Sequence, residues 1–148
     1  MISQDSVRPF TLLTGGTGFI GHVLVAELLK RGHSCALLVR SCGDAKRGLV
    51  RLLAELGLDG ERLAGQGRLV FVQGALPDAL PEAASIGIAR IVHAAASTRF
   101  NRDASGEPAR TNDLGTAALL DWSARGRIDE FHLISTAFIG GLSDDSLP

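Results

Sequence analysis

A doubly wound α/β fold with an all-parallel sheet is the architecture this sequence predicts, on three observations. Short apolar runs alternate with amphipathic stretches along most of the 148 residues. A glycine cluster at residues 15–21 joins the first apolar run to the first amphipathic stretch. Glycine recurs where amphipathic stretches end, at Gly32 and Gly126, as helix C-termini favour.

The elements follow in order. Residues 9–14 (PFTLLT) read as a strand buried on both faces, and residues 21–31 (GHVLVAELLKR) as the helix behind it. Residues 34–40 (SCALLVR) give the second strand. Residues 45–58 (AKRGLVRLLAELGL) have apolar spacing near 3.6 and predict one helix. The third strand is expected at 68–73 (RLVFVQ), followed by a short connection over 77–88 marked by Ala and Pro. Residues 90–95 (RIVHAA) predict the fourth strand, 97–110 a polar loop, 111–125 (TNDLGTAALLDWSAR) a helix and 130–135 (EFHLIS) the fifth strand. Right-handed crossovers between parallel strands then favour the order 3-2-1-4-5. Residues 1–148 read as one domain without internal repeat or linker.

Composition narrows the function classes. With 15 basic and 16 acidic residues the net charge is −1, so no strong field draws the chain to nucleic acid or an anionic membrane. Residues 9–26 carry no Asp, Glu, Lys or Arg, but their glycines and threonines fit a buried strand, a turn and a buried helix better than a membrane span. The first eight residues lack a secretory cleavage pattern. Cys35 and Cys42 read as reduced thiols of a cytoplasmic protein, and no Cys/His pair has metal-ligand spacing.

The strongest motif is TGGTGFIG at residues 14–21, with glycines at 15, 18 and 21. Gly15 serves the sharp exit from the strand, Gly18 the approach of a pyrophosphate to the backbone, and Gly21 the close packing of helix on sheet. The helix N-terminus offers free N–H groups and partial positive charge to phosphates. The motif therefore predicts a nicotinamide dinucleotide site. An acid at the end of the second strand would bond the ribose hydroxyls of NAD. This strand ends in Arg40, the first acid being Asp44, so NADP(H) is favoured over NAD(H), with Arg40 on the 2′-phosphate. Lys46 and Arg47 read as a solvated helix face.

On TGGTGFIG (14–21), LLVR (37–40), Arg51-Leu52, IVHAAAS (91–97), TNDLGTAALL (111–120) and FHLISTAFIGG (131–141), the sequence resembles the extended short-chain dehydrogenase/reductases, a Rossmann-fold superfamily. Within them it looks most like the branch of thioester reductases and fatty acyl-CoA reductases. The resemblance implies that Gly15, Thr17, Gly18, Phe19 and Ile20 touch the pyrophosphate region, with Gly21 completing the loop. It puts Arg40 and Arg51 on the 2′-phosphate and Ala94, Ala95 and Ala96 along the cofactor. Asn112 would support the site through its amide, Ser135 would lie near the nicotinamide, and Thr136 would bind the reacting carbonyl. The family's Gly-Asp-Leu after the third strand is Gly74-Ala75-Leu76 here, so the adenine would lose a carboxylate partner and be held by packing, Leu76 included, and by backbone groups.

The implied reaction is hydride transfer from NADPH to an acyl thioester, carried on CoA or a carrier protein, or to a related carbonyl. Alternatives are sugar-nucleotide epimerisation or hydroxysteroid-type oxidation in the same superfamily, and a non-catalytic NADP-binding regulatory module. The family's Tyr-x-x-x-Lys pair has no counterpart: the chain holds no tyrosine, and its lysines, Lys30 and Lys46, come too early. An N-terminal portion of a larger reductase is therefore expected, inactive alone, its fold cut after the fifth strand. That strand's open edge would favour self-association. His93, His132 and Trp122 read as structural, the histidines as satisfied buried imidazoles and Trp122 as core.

Overall fold

The computed structural model describes residues 9–82, 87–101, 103–126 and 128–135. Five strands form one sheet: β1 (Phe10–Thr14), β2 (Ser34–Val39), β3 (Leu69–Gln73), β4 (Ile88–His93) and β5 (Glu130–Leu133). Every pairing is parallel and the order is β3-β2-β1-β4-β5, as the alternation predicts.

The period-2 alternation of strand side chains sorts the core into two layers. Leu13, Cys35, Leu37, Val39 and Leu69 face one side. There they meet Val25, Ala26 and Leu29 of α1 (Gly21–Lys30), Leu49 and Leu53 of α2 (Cys42–Glu55) and Leu63 of α3 (Gly60–Gly65). Leu12, Ala36, Leu38 and Ile91 face the other side, against Leu119 and Trp122 of α4 (Thr116–Arg125). Residues 9–26 are thus a strand, a turn and a helix, and no described helix is long and apolar enough to cross a membrane. Trp122 is core as expected, its Nε1 donating to the Pro81 carbonyl oxygen at 2.6 Å.

Three expectations need correction. The single helix over 45–58 is in fact α2 followed by α3. The apolar period runs through Leu56 and Leu58, but Gly57 adopts φ +78°, which ends α2, and Asp59 caps α3 by accepting the Arg62 N–H at 2.9 Å. The helix over 111–125 opens as a π-helical stretch, Arg110–Gly115, before α4. His132 is exposed on β5, beside Glu130 at 3.1 Å, rather than buried. It shares Glu130 with Arg90, whose guanidinium donates to both carboxylate oxygens at 2.7 and 3.0 Å across the β4–β5 register. These donors hold the Glu130 carboxyl down at about 2.

Both cysteines are free, and burial pushes the Cys35 thiol up to about 12, so it stays protonated.

Candidate dinucleotide site

A cleft of about 1230 Å³ opens at the carboxyl ends of β1 to β4, where open α/β sheets bind their ligands. Its floor is made mostly of small residues, with one leucine: Gly15, Thr17 and Gly18 after β1, Gly74-Ala75-Leu76 after β3, and Ala94-Ala95-Ala96 after β4.

The glycine loop is defined by sterics. Gly15 has φ +70°, and a Cβ there would lie 2.6 Å from the Ala95 nitrogen. A Cβ on Gly21 would lie 2.0 Å from the Gly15 carbonyl oxygen, so α1 can start there only without a side chain. Gly16 is also constrained, since its Cβ would meet Leu37 Cδ2 at 2.7 Å. Nothing in the glycine spacing had singled it out; its limit comes from the neighbouring strand. The Gly18 N–H closes the turn on the Gly15 oxygen at 2.9 Å. Among the described residues, the N–H groups of Thr17, Phe19 and Ile20 have no protein acceptor. Unpaired donors at the head of α1, beside glycines that leave room for a close approach, suit a pyrophosphate.

Behind the floor runs a hydrogen-bonded chain. The Thr116 hydroxyl gives its proton to the Asn112 carbonyl oxygen at 2.6 Å. Toward His93 Nε2, 3.0 Å away, Thr116 Oγ1 is therefore an acceptor. The ring is then protonated on Nε2 and accepts at Nδ1 from the Thr14 hydroxyl at 2.6 Å. Thr14 Oγ1 in turn accepts the Ala95 N–H at 3.2 Å. His93 is thus a satisfied buried imidazole, and burial lowers its pKa, favouring this neutral form. The Asn112 amide clamps the end of the floor: Oδ1 accepts the Ser97 N–H at 2.7 Å and Nδ2 donates to the Ser97 oxygen at 3.0 Å.

Arg40 lines the cleft directly after β2. Arg51 does not; it is exposed, with Nε 3.9 Å from Glu55 Oε1. Phe19 and Ile20 stand exposed beside the cleft, at 90% and 53%. Ser135 is exposed just past β5 and outside the cleft lining. Thr136 lies outside the described residues. Sequence reasoning missed a stripe of α2, Ala45, Gly48 and Leu52, that walls one side of the cleft. The signal was uncharged residues at helical spacing, hidden among the charges of the exposed face.

With this geometry in view, the profile of the male sterility protein family, an NAD-binding domain family, matches residues 13–147. The chain belongs to that family. Among solved structures, it is similar to the terminal R domain of the myxalamid PKS-NRPS pathway, with 31% identity and a TM-score of 0.72 over 87% of this chain and 35% of that one. It is also similar to a UDP-glucose-4-epimerase from Stenotrophomonas maltophila, solved with bound NAD, at 23% identity and TM-score 0.70 over 93% of this chain and 40% of that one. That second likeness shows the fold. An uncharacterized protein of Schizosaccharomyces pombe is 31% identical over 120 residues, 79% of this chain and 12% of the yeast protein. This family member therefore spans little more than a third of the terminal R domain it resembles, and carries an extended short-chain dehydrogenase/reductase NAD-binding domain.

Proposed function

We propose that the chain supplies the NADP(H)-binding part of a reductase that delivers hydride to an acyl thioester, on CoA or a carrier protein, or to a related carbonyl. The observation that carries the cofactor preference is the state of Arg40. Lys46, Arg47 and Arg51 are each paired with an acid, Glu61, Asp44 and Glu55. Arg40 lines the cleft and has no acidic partner among the described residues. A free guanidinium fits a phosphate dianion better than two neutral hydroxyls.

Bound in this cleft, the reduced nicotinamide would supply the hydride. The protein's part is to seat the pyrophosphate on the α1 N–H groups, let the dinucleotide lie along Ala94–Ala96 and hold that floor through Asn112 and His93. Thr136 is the residue we assign to the reacting carbonyl, through its hydroxyl. The 31% likeness to a terminal R domain supports the thioester class. On the same reading the protein works in the cytoplasm, beside reduced thiols, and the edge of β5 is the surface through which copies would associate.

Titration with NADPH and NADH by calorimetry tests the preference. Arg40→Ala is expected to cost about 1.5–3 kcal/mol of NADPH affinity, roughly 10- to 100-fold, and to leave NADH binding nearly unchanged. Equal NADPH affinity in the variant would refute it. The thioester class is tested by acyl-CoA-dependent oxidation of NADPH by the full-length protein.

A further inference from the structure

Arg40 shares the adenosine end of the cleft with a second charged side chain. Asp44, in the first turn of α2, lines it too. A carboxylate has the wrong charge for a neighbouring 2′-phosphate, since exposed charges repel over about 10 Å at ordinary ionic strength. Both of its oxygens are engaged, however. Ser41 Oγ donates to Oδ2 at 2.9 Å, and the Arg47 guanidinium is hydrogen-bonded and ion-paired to Oδ1. Arg47 itself does not line the cleft.

We propose that Asp44 is a specificity-determining residue for the dinucleotide and that Arg47 sets its effective charge. This rests on the reading of the cleft as an NADP(H) site. Paired with Arg47, Asp44 tolerates a phosphate beside Arg40. Unpaired, it repels the phosphate and is free to accept from ribose hydroxyls. In an NAD site the acid closes the second strand. Here Arg40 takes that place, directly after Val39, and the acid is displaced onto α2. There it lines the same cleft, and the positive end of the helix favours its negative charge. Asp44 and Arg47 side chains are both 75% exposed, so replacing either leaves the core intact.

The test is NADPH and NADH titration of the wild type, Arg40→Ala, Arg47→Ala, Asp44→Asn and the Arg47→Ala/Asp44→Asn double variant, at low and high salt. Melting curves verify that each is folded. Arg47→Ala is expected to lower NADPH affinity about three- to tenfold without lowering NADH affinity, an effect that shrinks in high salt. Asp44→Asn raises NADPH affinity about threefold, and the double variant returns close to the wild-type ratio. An NADPH:NADH ratio left unmoved by both single variants overturns the proposal. So does an Arg47→Ala loss that persists undiminished in the double variant, because Arg47 would then touch the phosphate itself. The wild type and Arg40→Ala decide the NADP reading separately. If neither shows a preference, that reading falls, while the Asp44→Asn ratio still decides whether Asp44 discriminates.

Discussion

β2 and β5 are strands of one sheet with opposite surroundings. All six residues of β2 are buried, whereas β5 has none buried and three of four exposed. β2 lies between two strands and under α1 and α2, with Leu37 facing one layer and Leu38 the other. β5 is an edge strand, tied to β4 by backbone pairing and by the Arg90–Glu130 bridge. The β1–β2 side is a finished scaffold, and it is the side that shapes the glycine loop and the Arg40 rim. The β5 side joins the core through Phe131, which packs against the layer of Leu12, Leu119 and Trp122, and is otherwise polar or exposed. The residues that the resemblance assigned to the reacting end, Ser135 and Thr136, follow that side.

The comparison breaks first at the glycine loop. Gly21→Ala puts a methyl into the backbone of Gly15, with no flexible side chain to yield. Loss of dinucleotide binding and destabilisation of about 3 kcal/mol or more are expected, read by titration and thermal melting. An unchanged melt would mean that the loop is looser than its geometry.

Paired truncations sharpen it next. Leu53 is fully buried in the α1–α2 layer, while Leu133 on β5 is 51% exposed. Leu53→Ala should cost about 2–5 kcal/mol, and Leu133→Ser should stay within about 0.5 kcal/mol, by denaturant unfolding. A comparable cost at Leu133 would show that the β5 face is covered in the protein.

The smallest effects come with pH. Burial lowers the His93 pKa below its ordinary 6.5. The unfolded chain takes that proton more readily, so this stability is complete above about pH 6.5 and falls as pH drops below it. Glu130 is shifted from 4.5 to about 2, so its contribution is present above about pH 4.5 and is lost as pH falls through about 2. Melting temperature against pH should show a first decline below 6.5. In Glu130→Gln the loss in the acid limb should be reduced. A first decline that survives His93→Gln would assign it to another group.

Most of the scaffold was legible in the chain because it depends on local chemistry. Alternating apolar runs specify parallel strands, and TGGTGFIG specifies a strand, a turn and a helix head. The break between α2 and α3 was less legible, since an unbroken apolar period ran across a glycine whose φ only the fold reveals. The place of Arg40 after β2 was readable from strand order. The exclusion of Arg51 was not, because which face of α2 meets the cleft depends on how that helix packs on β2 and β3. Gly16 shows the same limit: its freedom from a side chain answers to Leu37, 21 residues away and on another strand. By itself the sequence determined the order of elements, the phosphate-binding turn and the basic end of β2, each set within a few neighbouring residues. Only the tertiary structure decided that Lys46 meets Glu61 of α3 and that α2 turns Asp44 toward the cleft beside Arg40, which has no acidic partner among the described residues, because these depend on how separate elements pack.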